Sequence, residues 1–527
     1  MQGRKRKSAK SLAPGGDMYK RKANQVSIFE DPAMFGGIAL NPENEWIKLE
    51  KCIPWWAFEE KYAQQFPSGT GQPADSLRMA LGTLIIKERY GFSDEMTVAE
   101  ITMNPYLQYF IGLVQFTQNE PFNPSMLTRF RQRLGTKILQ EVNDVIIGRK
   151  TAQEVAGKAR TPDDDDDNSD NGGDTNTDNS EDESEKGRCE TQEEKNCGTL
   201  ILDATCAPQG IRYPTDTSLL DEARRSTEKI IDALHVAGLT DGKKPRTYRV
   251  KAKNLFNSFS RSRKKTAQMI RSCKRQQLNL LKRNLGHLDE IIQKHSDTWK
   301  EALSRWALER LAVVRLLYEQ QREMYETNTK RIDERIVSLS QPWVRPIKRG
   351  KQNADVEFGA KVEMSDESGY LRVEHLSWEA FNESTTLQDS VEAYRKAYGH
   401  YPERVLADTI FRTRENLNYC KQHGIRMNGP KLGKPPKDPS VRKQEQRQEW
   451  LESGERGDIE RRFGISKRCY SLGRVAAKLK ETSEVMIHLS VLTLNLLRKL
   501  RLLLRFFFSC CKTDRGVVIY GRLIHVS

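Results

Sequence analysis

Arg456, Glu460 and Lys467 stand in the pattern R-x-x-x-E-x-x-x-x-x-x-K, within the segment Ser453-Gly-Glu-Arg-Gly-Asp-Ile-Glu-Arg-Arg-Phe-Gly-Ile-Ser-Lys-Arg. On a helix, Arg456 and Glu460 are one turn apart and Lys467 lies two turns beyond Glu460, so all three share a face. One carboxylate flanked by two cations on one side of a helix can bind a divalent metal while holding phosphate oxygens. Two aspartates upstream would complete such a site. Gly198-Thr-Leu-Ile-Leu-Asp203 and His400-Tyr-Pro-Glu-Arg-Val-Leu-Ala-Asp408 are short runs ending in aspartate, and each reads as a buried strand whose carboxylate emerges at its end. Breaking a phosphodiester near neutral pH needs an activated nucleophile and a stabilised leaving oxyanion, which two divalent ions about 4 Å apart supply. Hard Mg²⁺ prefers oxygen ligands and keeps several waters, so Asp203, Asp408 and Glu460 would suffice. Each has a plainer alternative: strand-terminal aspartates commonly form turns and caps, and Glu460 alone would be a solvated helix residue. Their joint occurrence, in order, carries the reading. Asp366 falls in a hairpin turn and is left out.

The elements that must position these groups follow from periodicity. Val356–Ser365 and Leu371–Ser377 alternate in the strand period around Asp366-Glu-Ser-Gly369, a hairpin. Thr386–Tyr398 reads as a helix, followed by the strand ending at Asp408. Thr215 to about Ser340 is dominated by helix. Leu278, Leu281, Leu285, Leu288 and Ile292 form a heptad stripe, Ser296-Asp297 interrupts it, and Trp299, Leu303, Trp306 and Arg310 open a second helix. These two suggest an antiparallel hairpin inserted after the first strand, either an interior pair or a projecting contact to DNA or to a second copy.

Upstream, Trp46–Gly148 is helical. Asp75-Ser76 caps Leu77–Tyr90 and Gly91 stops it; Ser93 caps a second helix ending before Pro105; Pro124-Ser125 opens Met126–Leu134. Arg129, Arg131 and Arg133 on the last helix fit either a helix-turn-helix gripping DNA phosphate or an ordinary bundle with solvated arginines. Residues 1–40 form a loose basic arm, and Asp163–Glu194 a self-repelling acidic linker that cannot bury enough surface to fold. The expected organisation is arm 1–40, helical domain 41–150, linker 151–197, catalytic domain 198–508 with its insertion at about 215–340, and tail 509–527.

Composition narrows the partners. The chain has 527 residues, 30% of them charged, a net charge of +15 and a mean hydropathy of −0.72. Clustered Lys and Arg gain affinity for nucleic acid by releasing phosphate counterions, although a basic surface also serves solubility. The nine cysteines show no metal-ligand spacing, which favours a reducing compartment. The N-terminus is not a secretory signal, and Val485–Phe508 is interrupted by Arg498, Lys499, Arg501 and Arg505, so it reads as a buried helix turning amphipathic rather than a membrane span. There is no P-loop or dinucleotide fingerprint, and the histidines are dispersed.

The order strand, hairpin, helix, strand, then helix is that of an α/β ribonuclease-H-like domain with a large helical insertion after its first strand, here preceded by an all-α N-terminal domain. The chain resembles the DDE insertion-sequence transposases, in particular the InsH-like group. The matching strings are Trp55-Trp56-Ala-Phe-Glu-Glu, Leu84-Ile-Ile-Lys-Glu-Arg-Tyr-Gly-Phe-Ser-Asp-Glu, Asn104-Pro-Tyr-Leu-Gln-Tyr-Phe-Ile-Gly and Pro121-Phe-Asn-Pro-Ser-Met-Leu-Thr-Arg-Phe-Arg. Leu202-Asp203-Ala-Thr-Cys-Ala-Pro-Gln-Gly and Val405-Leu-Ala-Asp408-Thr-Ile-Phe-Arg then match the two aspartate motifs, and Ile459-Glu460-Arg-Arg-Phe-Gly464 with Lys467 the third. The resemblance implies a metal-binding triad of Asp203, Asp408 and Glu460, using Mg²⁺ with Mn²⁺ as a possible substitute. It also implies phosphate contacts from Arg456, bidentate, and Lys467, as a point charge, with Arg468 left unassigned. The partners implied are double-stranded DNA at transposon ends and target, bound by a homodimer or larger synaptic complex, with no membrane, in a prokaryotic cytoplasm at the nucleoid. The related signature carries a tyrosine three residues before its arginine; this chain has Ser453.

Overall fold

In the computed structural model of the chain, the described residues are 32, 35–66, 74–157, 195–296, 298–351, 354–429 and 438–513. The basic arm through residue 31, the acidic run 163–194, Asp297 and the tail from residue 514 lie outside the described residues.

Among the described residues the first helices are α1 (Glu45–Glu50), α2 (Trp56–Ala63), α3 (Leu77–Tyr90), α4 (Asp94–Met103), α5 (Pro105–Phe110), α6 (Met126–Ile147) and α7 (Ala152–Ala156). The capping signals act as expected. Ser76 Oγ accepts from the Met79 amide at 3.2 Å, Ser93 Oγ from the Met96 amide at 3.1 Å, and left-handed Gly91 ends α3. The helix expected over Met126–Leu134 begins at Met126 but continues past a kink at Gly135, where φ is 61°, to Ile147. Its second half is not a free recognition element: Ile138, Leu139, Val142 and Ile146 are buried in the core.

The second half follows the order β1 (Thr199–Pro208), α8 (Asp216–Val236), α9 (Arg249–Arg261), α10 (Ala267–Lys294), α11 (Arg305–Glu326), β2 (Arg345–Lys351), β3 (Ala354–Glu367), β4 (Tyr370–Ser377), α12 (Leu387–Tyr398), β5 (Arg404–Ala407), α13 (Arg414–Gln422), β6 (Arg426–Met427), α14 (Pro439–Cys469) and α15 (Lys480–Thr513). The insertion is richer than an expected two-helix hairpin. Helices α8, α10 and α11 enclose a core of their own around Leu220, Ile231, Leu281, Leu288, Val314 and Leu317. Trp299 lies before the last of them, because Ser304 is the residue that caps α11, its Oγ accepting from the Ala307 amide.

The sheet runs β2-β3-β1-β5-β6, with β4 also paired to β3. Strands β1, β5 and β6 are parallel, while β2–β3, β3–β4 and β1–β3 are antiparallel. The β3–β4 turn is Ser368-Gly369, with φ of 51° and 92°. Two successive positive φ values match the right-handed twist of the strands, and glycine takes the second without strain. Contrary to the expectation that β1 ends at its aspartate, β1 runs on from Asp203 to Pro208. It keeps pairing with β3 there, from Asp203↔Met364 to Pro208↔Gly359, after β5 has stopped.

Helix α15 is buried from Val485 to Leu500 and more exposed from Arg501 on, the amphipathic change its arginines imply. No helix among the described residues is long and apolar enough to cross a membrane.

Candidate active site

Register places the two aspartates. Leu202 pairs with Ala407 across parallel strands β1 and β5, so Asp203 and Asp408 are the next residues of neighbouring strands. Alternation puts them on one face. Leu200, Leu202, Val405 and Ala407 pack on the α12–α13 side, whereas Ile201 and Leu406 join the core that holds Ile459 and Phe463 of α14. Asp203 and Asp408 share the parity of Ile201 and Leu406, and so face α14.

Helix α14 crosses that face as a ruler laid over the strands. Asp438 caps it, its side chain accepting from the Ser440 amide at 2.8 Å, with Pro439 in the first turn. Glu452 pairs with Arg426 at β6, Glu455 with Arg404 of β5 at 2.7 Å, and Arg462 with Asp366 at the end of β3. From Glu455 to Arg462 the helix rises about 10.5 Å. Two strand spacings, β5 to β1 to β3, come to about 9.6 Å. Ile459 and Glu460 therefore pass over β1. The contacts of Glu455 and Arg462 occupy one flank of the buried stripe Glu452–Ile459–Phe463–Ser466. Arg456, Glu460 and Lys467 lie on the opposite flank, about 60–100° around the helix from Ile459.

Electrostatics agree with this placement. Burial pushes the half-buried Asp203 carboxyl up to about 6, and the nearby charges of Glu460 and Glu383 add to the rise. The Ala204 amide, donating to Asp203 Oδ1 at 2.8 Å, and the Arg456 charge oppose it. Arg456 Nη1 lies 3.7 Å from Glu460 Oε1, with the Glu460 side chain 59% exposed. Asp408 is exposed and also serves as a cap, its Oδ1 accepting from the Thr409 amide at 2.7 Å and hydroxyl at 3.1 Å. As the side chains stand, no group of three His, Cys, Asp or Glu among the described residues is close enough to hold a metal ion. The donor chemistry nonetheless fits a hard cation: two aspartates on adjacent strands share a face, and a glutamate feels one of them through its charge.

The remaining expected residues separate into three groups. Lys467 is half-buried in the last turn of α14, and Arg468 is exposed, its Nε donating to the Gly464 carbonyl at 3.2 Å. Arg129 is exposed. Arg131 is buried in a two-pronged pair with Asp94 at 2.9 and 3.2 Å, and the half-buried Arg133 stacks over Phe66 at 4.5 Å. Their charges are drawn inward by groups that the linear pattern did not reveal.

Three residues were missed. Arg462 anchors α14 by donating to Asp366 and to the Gly369 carbonyl at 2.8 Å, across about ninety residues of chain. Glu383, paired with Lys361 at 2.8 Å, adds negative charge near Asp203. Glu363, buried on the opposite face, accepts from Thr386 and Ser390, and burial pushes it up to about 7. None carries a local sequence signal, since each partner comes from a different element.

Comparison with known proteins bears on both halves. Residues 405–497 match the family described as Transposase DDE domain, and residues 38–133 match Transposase domain (DUF772). The uncharacterized protein ORF8 in the nfe locus of Rhizobium meliloti is 33% identical over 103 residues, covering 20% of this chain and 49% of that protein. The chain thus matches about half the length of that relative. No solved structure matches it. One family match covers the helical body and the other runs from β5 through Asp408 and Glu460 into α15, and together they support an insertion-sequence transposase of the DDE type.

Proposed function

We propose that this protein cuts DNA at the ends of its own insertion sequence and joins the freed ends to target DNA, through a ribonuclease-H-like domain of the InsH-like kind. The observation that carries the reading is the meeting of Asp203 and Asp408 on one sheet face, at adjacent strands, beneath the helix that presents Glu460. Divalent ions bound there would supply Lewis acidity to the attacking and leaving oxygens.

Asp203, Asp408 and Glu460 would hold the ions, and Arg456 and Lys467 would hold non-bridging phosphate oxygens. In the first step a water oxygen bonds to phosphorus and the bond to the 3′ oxygen breaks; the proton lost by water balances the one gained by the new 3′-hydroxyl. In the second step that hydroxyl's oxygen bonds to a target phosphorus and displaces the target's 3′ oxygen, which takes up a proton in place of the one the hydroxyl loses. Neither step needs a covalent protein intermediate or ATP. Two protomers would hold two ends, and the first helices would contribute to end recognition.

The test is a supercoiled donor plasmid carrying the element, incubated with Mg²⁺. Wild type yields nicked and joined products, and Asp408→Asn lowers them by about 10²–10³-fold, the usual cost of losing one electrostatic group that acts in the transition state. Equal cleavage by the two proteins would refute the assignment.

A second reading, a catalytically idle DNA-binding protein of transposase descent, is favoured by Ser453, which stands where the related signature carries a tyrosine. Stable binding to the element ends with no product in Mg²⁺ or Mn²⁺ would select it.

A further inference from the structure

The strongest unassigned feature is the charge of the helical insertion. From Gly242 to Leu288 the chain carries fifteen Lys or Arg residues and no Asp or Glu. Some are internally engaged: Lys244 and Arg249 pair with Asp232, Lys274 with Asp216, and Arg283 lies over Tyr248 while donating to the Thr247 carbonyl. Lys251, Lys253, Arg261, Arg263 and Lys264 are exposed and have no acidic partner among the described residues. Helix α9, which bears the first three, buries only Ala252, so its cations are not there to cover a core.

We propose that α9 and the loop leading to α10 form a clamp for the phosphate backbone of duplex DNA, distinct from the carboxylate site. Helix α9 is about 20 Å long; Lys251 and Lys253 stand near its start, and Arg261, Arg263 and Lys264 at its end and in the loop beyond, so its exposed cations form two groups at the two ends of that span. An open cleft of about 690 Å³ joins α9, through Phe256 and Phe259, to Arg212 and Tyr213. Those two residues follow directly on β1, the strand of Asp203. The chain reach puts Arg212 no more than about 32 Å from Asp203. One turn of duplex spans about 34 Å. The cleft is therefore within about one helical turn of duplex from Asp203. A second copy of the chain is a poorer occupant, because two such surfaces carry the same sign and repel. The inference rests on the proposed function only in taking DNA as the substrate.

The test uses the full-length protein and a labelled 40-base-pair duplex of random sequence, titrated by anisotropy between 50 and 300 mM NaCl. Each backbone contact contributes about 0.9 to the slope of log affinity against log salt. The variant Lys251→Ala/Lys253→Ala/Arg261→Ala/Arg263→Ala should lose about 3 to 4 from that slope, and on the order of 10²-fold in affinity at physiological salt. The charge-conserving set Lys251→Arg/Lys253→Arg/Arg261→Lys/Arg263→Lys should keep both. An unchanged slope in the alanine variant overturns the clamp while leaving the proposed function standing. So does equal loss in the charge-conserving set, which would mark a folding effect. A change in sedimentation with an unchanged slope overturns it in favour of self-association. Failure of the wild type to bind DNA at all would overturn the clamp and the proposed function together.

Discussion

Replacing Asp203 by asparagine should abolish catalysis and yet stabilise the metal-free fold, with a pH dependence that identifies the cause. In the folded protein the Asp203 carboxyl is raised from an ordinary 3.8 to about 6, first by burial and then by Glu460 and Glu383. Such a rise corresponds to roughly 3 kcal/mol of penalty on the ionised form. A group raised on folding stabilises the fold fully below its unfolded value, near pH 4, and loses that contribution as pH climbs through about 6. Above pH 7 the wild type carries the full penalty, whereas Asp203→Asn is neutral throughout. Thermal melts in EDTA should therefore show similar stability near pH 4 and an advantage for the variant at pH 8. At about 2 °C per kcal/mol, that advantage is on the order of 5 °C. Adding Mg²⁺ at pH 8 should raise the wild-type midpoint and leave the variant unmoved, because binding to the folded state alone stabilises it. Glu460→Gln removes a like charge and should shrink the gap between the two proteins. A pH-independent difference, or a variant less stable than wild type at pH 8, would refute the electrostatic account of the site.

Two further substitutions test how α14 is held. Arg462→Ala leaves the buried Asp366 carboxylate without its partner and should cost about 3 kcal/mol at pH 8 by denaturant melts. The loss should be smaller in acid, where the Asp366 carboxyl, already raised by burial, takes up a proton more readily; equal loss in acid and at pH 8 would count against the pair. Gly473→Ala adds a Cβ that meets the Lys467 carbonyl oxygen and carbon, backbone atoms that cannot rotate away. It should destabilise by about 2 kcal/mol, with reduced binding of a DNA-end duplex as Lys467 shifts; an unchanged melt would show that the turn has room.

How much of this was legible in the sequence depends on how local the signal is. Ser76, Ser93 and Gly91 announce helix ends within a few residues, and the structure uses them so. The alternation around Asp366–Gly369 likewise declares a hairpin whose two sides are adjacent in the chain. The convergence of Asp203 with Asp408 was inferable because an apolar run before each aspartate fixes its face. The point at which β1 ends was not, because its last residues are held by β3, some 150 residues away, rather than by turn chemistry of their own. The partner of Arg131 was hidden for the same reason: Asp94, on another helix, takes its guanidinium. Helix α9 escaped notice because its pattern is charge rather than apolar periodicity, and it buries almost nothing.

The helical body and the sheet also share a junction that bears on how any DNA would be presented to Asp203. Asn143 of α6 and Asn495 of α15 both donate to the Leu371 carbonyl of β4, at 3.1 and 2.6 Å, and Asn495 also donates to Asn143 at 2.8 Å. Beside them Arg372 pairs with Asp144 at 2.7 Å. His488, pushed down to about 4 by burial and by the Arg372 charge, stays neutral at physiological pH and adds no competing charge. Parting α6 from β4 would strand several buried polar groups, each costing about 1–3 kcal/mol without a partner. The helices and strands pack into one continuous apolar core around these bonds. A duplex gripped by the first helices would thus be held in fixed orientation to β1 and β5, leaving adjustment at the site to the side chains of Asp203, Asp408 and Glu460.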